Sequence, residues 1–289
     1  MNLVSQEYAI VHAPLSGVLP LSFTQHTYSA IPKLYGLQDT TALEAAGILP
    51  VFSQPNLMST GQGVLIGLID TGIDYTNPLF QNPDGTSRIL RLWDQTMERE
   101  ASPEPVAGFQ PFYGTVYSQE ELSRALDSEN PFELVPSTDT NGHGTFLAGV
   151  AAGRQIQNPT TFSGAAPDAA LAVVRLKPAK QYLREFFAVP ADADAYQEND
   201  IMTAAAFLLG VAGQSRLPLV LLLGVGTAQG SHSGISPLAM QLQALSGTRG
   251  FACVTGAGNE SGFRHHYPGR LSPDHFPWNS GPMFRSFTR

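Results

Sequence analysis

The sequence predicts an α/β fold, a parallel sheet flanked by helices, and three observations carry that prediction. Four short apolar runs, Val64 to Ile69, Leu171 to Val174, Leu219 to Leu223 and Gly250 to Thr255, are continuous rather than alternating, as expected of strands covered on both faces. Helix-like stretches separate them, over His143 to Gly153, Asp200 to Gly210 and Ser236 to Leu245. Strand, helix, strand in repeating order calls for one parallel sheet with right-handed crossovers.

From Glu7 to Thr60 the chain is mixed and proline-punctuated, with a strand-like run at Tyr8-Ala9-Ile10-Val11 and a short helix expected from Thr40 to Gly47. That segment is expected to wrap onto the α/β domain. The run Val64 to Ile69 ends in a carboxylate, Asp70, and a Thr71-Gly72 turn. Between Asp74 and Asp139 lie Trp93, Phe109, Phe112, Tyr113 and Tyr117, read as strands and loops elaborating the domain surface. In the helix from His143, the small residues Ala148, Gly149, Ala151 and Ala152 permit close approach to a neighbour. Asn199 is placed to cap the next helix, with Asp200 near its positive end. Ser236-Pro237 supplies a cap and first-turn proline for the last one. The expected organisation is an N-terminal segment over residues 1–60, an α/β domain over 61–269 and an atypical tail over 270–289.

The 289 residues are 43% hydrophobic and 14% charged, an ordinary globular profile for a chain that can bury a large core. A formal net charge of -8 without any Lys/Arg cluster argues against a nucleic-acid partner. No stretch approaches the roughly 20 apolar residues of a membrane span. The N-terminus has no basic region followed by a long apolar stretch, so no secretory signal is read. Cys253, the single cysteine, lies in the apolar run Phe251-Ala252-Cys253-Val254; it excludes an intramolecular disulfide and reads as a small buried side chain.

Three short motifs carry chemistry. Asp70 ends a buried strand, where open α/β sheets place functional groups, although Ile69-Asp70-Thr71-Gly72 alone is equally well explained by a solvated, turn-capping aspartate. His143 lies between Gly142 and Gly144 in Asp139-Thr140-Asn141-Gly142-His143-Gly144-Thr145-Phe146-Leu147-Ala148-Gly149-Val150; histidine is the usual general base near neutral pH, and its bland alternative is a surface residue in a polar turn. Asn259 follows a strand in Thr255-Gly256-Ala257-Gly258-Asn259-Glu260, a place for an amide aimed into a cleft or for a plain turn. The paired His265 and His266 do not make a metal site by spacing, since neighbours on a strand face opposite ways, and no metal is assigned.

Acid, base and amide in that chain order resemble the subtilisin-like serine peptidases, the subtilases. Ile31-Pro32-Lys33-Leu34-Tyr35-Gly36-Leu37, Asp74-Tyr75-Thr76-Asn77-Pro78-Leu79-Phe80, Trp93-Asp94-Gln95-Thr96 and Gln229-Gly230-Ser231-His232 look like the Csp-type branch, whose namesakes act in clostridial spore germination. The likeness runs from about Tyr8 to Gly269. It implies a subtilisin-like sheet, incomplete at its C-terminal side, and serine endopeptidase activity on a protein or peptide substrate. In those terms Asp70 orients His143, His143 moves the proton and Asn259 steadies the oxyanion. Gly224, Val225 and Gly226 take the place of the family's substrate-pairing strand, often Ser-Leu-Gly, with Gly224 for the serine and Val225 for the leucine. No cofactor is implied, although calcium occurs in the family, and a cytoplasmic or spore-associated setting is favoured.

The family's nucleophile lies in a Gly-Thr-Ser-x-Ala-type segment, and none occurs in these residues. The chain is therefore expected to be a truncated or frame-shifted form that begins partway through a propeptide, with Tyr8 to Pro14 resembling its final strand. The alternative to a peptidase is a catalytically inactive peptide-binding or regulatory homologue, and the chain by itself is expected to be inactive.

Overall fold

The computed structural model describes residues 2–4, 9–10, 31–32, 34–37, 59–98, 106, 109–154, 163–230 and 233–258. In chain order the strands are β1 (Asn2–Leu3), β2 (Ala9–Ile10), β3 (Leu34–Leu37), β4 (Leu65–Asp70), β5 (Ile89–Asp94), β6 (Thr115–Ser118), β7 (Ala170–Arg175), β8 (Tyr196–Gln197), β9 (Leu219–Leu223), β10 (Val225–Gly226) and β11 (Phe251–Thr255). The helices are α1 (Gln119–Leu126), α2 (Pro131–Leu134), α3 (His143–Ala152), α4 (Gln181–Phe186), α5 (Glu198–Ser215) and α6 (Pro237–Ser246).

Six strands form the central sheet in the order β11-β9-β4-β7-β5-β6. All neighbours are parallel except β6, which runs antiparallel to β5 at one edge. The four continuous apolar runs of the sequence are β4, β7, β9 and β11, and the first two are covered on both faces. Alternation along each strand divides the core in two. Leu65, Ile69, Ala172, Val174, Leu219, Leu221 and Leu223 face α5, where Phe207, Leu208 and Val211 meet them. Ile66, Leu68, Leu171 and Val173 face Leu147, Ala148 and Ala152 of α3 and Leu122 and Ala125 of α1. The same alternation turns Asp70 toward the α3 side, two residues on from Leu68.

The 74–139 region is more regular than its sequence reading. It contributes β5, β6, α1 and α2, and its aromatics enter the core: Trp93 packs on Phe109, Tyr113 and Phe207 with ring centroids 6.4, 5.4 and 5.1 Å away. Helix α1 starts with a capping box, in which Glu121 N donates to Ser118 Oγ (3.2 Å) and Ser118 N donates back to Glu121 Oε2 (2.8 Å). Two further expectations need correcting. Helix α5 is not capped by Asn199; it begins at Glu198, passes through Gly210 and ends at Ser215. Gly210 lies so close to Val106 that a Cβ there would stand 2.6 Å from its carbonyl oxygen, which accounts for a glycine inside a buried helix. Cys253 is only partly buried, because β11 is an edge strand whose Val254 is 50% exposed. The helix expected from Thr40 to Gly47 lies outside the described residues, as do His265, His266 and the tail from 270.

A second, three-stranded sheet has the order β10-β3-β8. Its middle strand belongs to the N-terminal segment: Leu37 pairs antiparallel with Val225 and Gly36 with Gly226, while Leu34 pairs with Gln197 and Tyr35 with Tyr196. Among the described residues no helix is long and apolar enough to cross a membrane.

Candidate active site

Asp70 is completely buried at the end of β4. Its Oδ1 accepts a hydrogen bond from the backbone N–H of Thr71 at 2.7 Å and lies 2.8 Å from Nδ1 of His143. An ionised carboxylate can only accept, so with Asp70 ionised this contact is a hydrogen bond only for a ring whose proton is on Nδ1. His143 is the first residue of α3, and its side chain is 13% exposed. Gly144 lets the first turn of that helix reach the strand end, since a Cβ there would run into the carbonyl oxygen of Gly72 and stand 3.1 Å from Asp70 Cβ.

The other face of Asp70 is closed by Gly224. A Cβ at that position would overlap Asp70 Oδ2 and Leu147 Cδ1, so a larger side chain there requires one of those groups to shift. The N–H of Gly224 donates to Ile69 O at 3.4 Å, which spends it on β4. Of the three residues expected to pair with substrate, Val225 and Gly226 thus present backbone to β3, whereas Gly224 covers the acid. Asp70 Oδ2 itself has no hydrogen-bond partner among the described residues, so its hydrogen bonding converges on Oδ1, where His143 sits.

Around the pair lies a further polar layer that sequence reasoning did not single out. The Asp94 carboxylate accepts hydrogen bonds from Arg175 Nη1 (3.0 Å) and Ser137 Oγ (2.6 Å) through Oδ2, and from Thr96 N (2.8 Å) and Oγ1 (2.6 Å) through Oδ1. The stem of Arg175 passes beside Gly72, 3.3 Å from where a Cβ would be. Tyr196 is buried nearby; burial first, and then the negative charges of Asp194, Asp70 and Asp139, hold its phenol well above the ordinary range, so it stays a neutral hydroxyl. The Thr96 bonds are local, two positions from Asp94, whereas Ser137 and Arg175 reach Asp94 from tens of positions away, and no local pattern announces those.

Asn259 lies outside the described residues. The strand leading to it is described: Thr255 of β11 is level with Leu223 of β9, and Leu223 with Ile69 of β4. That strand therefore ends on the same edge of the sheet as Asp70. No group of three His, Cys, Asp or Glu side chains able to hold a metal ion occurs among the described residues.

A buried carboxylate on one imidazole nitrogen, at the carboxyl end of a parallel sheet, is the arrangement of an acid–base pair. The subtilase family, peptidase S8, matches residues 61–279, and the chain belongs to it. Subtilisin-like protease SBT1.9 of Arabidopsis thaliana is 30% identical over 157 residues, 50% of this chain and 19% of that protein. Among solved structures, the Clostridium perfringens CspB protease is similar at 30% identity with a TM-score of 0.61, covering 75% of this chain and 40% of that one. The chain thus spans less than half the length of both relatives.

Proposed function

We propose that this chain carries the acid–base part of a serine endopeptidase. In the reaction, a serine hydroxyl at Nε2 of His143 gives up its proton to the ring as its oxygen attacks a peptide carbonyl carbon. The imidazolium so formed is stabilised by Asp70 and then protonates the leaving amine, releasing one product and an acyl-enzyme that water hydrolyses. Asn259 is assigned the oxyanion donor, a contact worth roughly a hundredfold or more in rate in subtilisin. The observation supporting this reading is the 2.8 Å contact between Asp70 Oδ1 and His143 Nδ1 with Asp70 fully buried. The substrate is a protein or peptide bound in extended form.

One observation favours binding without cleavage as a second reading. The Val225–Gly226 edge already pairs antiparallel with the extended segment Leu34–Leu37, and such pairing requires no nucleophile. A fluorophosphonate probe separates the two. The 289-residue chain is expected to take no specific label, and a polypeptide carrying the same site together with a Gly-Thr-Ser-x-Ala segment is expected to label in a manner abolished by His143→Ala. Labelling of the second polypeptide that is indifferent to His143→Ala contradicts the peptidase reading.

A further inference from the structure

We propose that Asp139 and Thr71 are positioning residues that fix His143 against Asp70, an inference that rests on the acid–base reading of that pair. Neither touches the reacting atoms. Asp139 Oδ1 accepts hydrogen bonds from Thr71 Oγ1 (2.9 Å) and from the N–H of Gly142 (2.9 Å). Its Oδ2 accepts from the N–H (2.8 Å) and the hydroxyl (2.7 Å) of Thr145. Thr71, the neighbour of the acid, uses its hydroxyl twice: it donates to Asp139 and accepts from the N–H of Gly144 at 2.9 Å. The Thr145 hydroxyl in turn accepts from the N–H of Asp74 at 2.9 Å.

These bonds form a closed ring around the catalytic pair. The turn after Asp70 contributes Thr71 and Asp74; the start of α3 contributes Gly142, Gly144 and Thr145, which bracket His143 on both sides. The N-cap of α3 is Gly142, a residue with no side chain to cap with. First-turn N–H groups that an ordinary cap would satisfy are satisfied instead by a hydroxyl on the acid's own turn and by one carboxylate. Moving the helix start relative to the strand end breaks several bonds at once, so the separation of Asp70 and His143 is set by groups outside the pair. Burial works to raise the Asp139 carboxyl, and the hydrogen bonds from Thr145, Gly142 and Thr71 outweigh it, leaving it below its ordinary range; it is the anion that holds the ring together. A hydroxyl at position 71 is required because it must donate and accept simultaneously, which serine can replace and valine cannot.

The test uses the 289-residue chain with labelled histidine and reads the far-downfield proton resonance of His143 Nδ1–H, with helix content followed in parallel by circular dichroism. Thr71→Val and Asp139→Asn are expected to lose the resonance at unchanged helix content, and Thr71→Ser to retain it. If Asp139→Asn does not fold, the Thr71→Val and Thr71→Ser pair decides. Asp70→Asn serves as the reference for a broken pair. A resonance that is lost in Asp70→Asn but persists at wild-type line width in Thr71→Val overturns the positioning role and leaves the acid–base reading standing. A wild-type chain without the resonance overturns both.

Discussion

Helices α3 and α5 begin at the same edge of the sheet and solve the same problem in opposite ways. Each must satisfy the unpaired N–H groups of its first turn, and neither has a side-chain bond from its N-cap residue. In α5 the acids sit on the helix itself and are committed elsewhere. Glu198 Oε1 accepts from the N–H of Leu238 at the start of α6 (3.2 Å), and Asp200 pairs with Lys177 Nζ (3.0 Å) and accepts from the Tyr113 hydroxyl (2.7 Å). Lys177 also lies 3.2 Å from the centroid of the Tyr113 ring. Burial pushes the Asp200 carboxyl up and the Lys177 ammonium down, each partly offset by the other. In α3 the acid precedes the helix, and its bonds return to the strand-end turn that carries Asp70. One start welds three elements of the core together; the other sets the spacing of two side chains. The contrast teaches that a buried charge at a helix N-terminus signals a site only when its partners lead back to reacting groups.

Substitutions can break that contrast, the largest effect first. Lys177→Met leaves Asp200 buried without its cation and is expected to cost about 3 kcal/mol in urea unfolding, while the Nδ1–H resonance of His143 stays in place. A lost resonance would mean that the two helix starts are coupled. Gly224→Ala places a methyl against Asp70 Oδ2 and Leu147, an overpacking worth about 1–3 kcal/mol; unlike the lysine change, it is expected to perturb the His143 ring signals as well as the melting temperature. Ser118→Ala removes the α1 cap at a cost of about 1 kcal/mol and is expected to leave His143 untouched.

The smallest and most selective effect is in pH. Asp139 has its folded-state pKa below the ordinary 3.8, so the folded protein releases that proton more readily than the unfolded chain. Its contribution is complete above the unfolded value and vanishes as acid titrates the folded carboxyl. Asp200, raised by burial, runs the other way: its contribution is present below the unfolded value and is lost as pH rises through the folded one. Stability measured against pH should therefore flatten on the acid side in Asp139→Asn and change with opposite sign in Asp200→Asn. Equal slopes in the two variants would erase the distinction between the helix starts.

The parts of the molecule that speak locally were legible in the sequence. Continuous apolar runs marked β4, β7, β9 and β11, and in β4 and β7 two-sided burial accounts for the lack of alternation. Asp70 and His143 stood out because each lies in a short string whose glycines are needed for close approach. Helix α1 was also written locally, as Ser118-Gln119-Glu120-Glu121, and was hidden only by the aromatic residues around it. Other features depend on long-range closure. The Lys177–Asp200 pair, the Asp94–Arg175 pair and the placement of β3 between β10 and β8 join residues far apart in the chain, and periodicity carries no information about which distant element a side chain meets. Gly224 shows the limit most clearly: as a letter it replaced a family serine, and in three dimensions it is the lid on Asp70.

The proposed function needs His143 to be a base whose neutral ring carries its proton on Nδ1, toward Asp70, and everything proposed for the site depends on that tautomer. Nitrogen chemical shifts of the His143 ring, recorded where the imidazole is neutral, test it directly. A protonated Nδ1 and a bare Nε2 are expected; a ring protonated on Nε2, with Nδ1 bare, would contradict the acid–base pair.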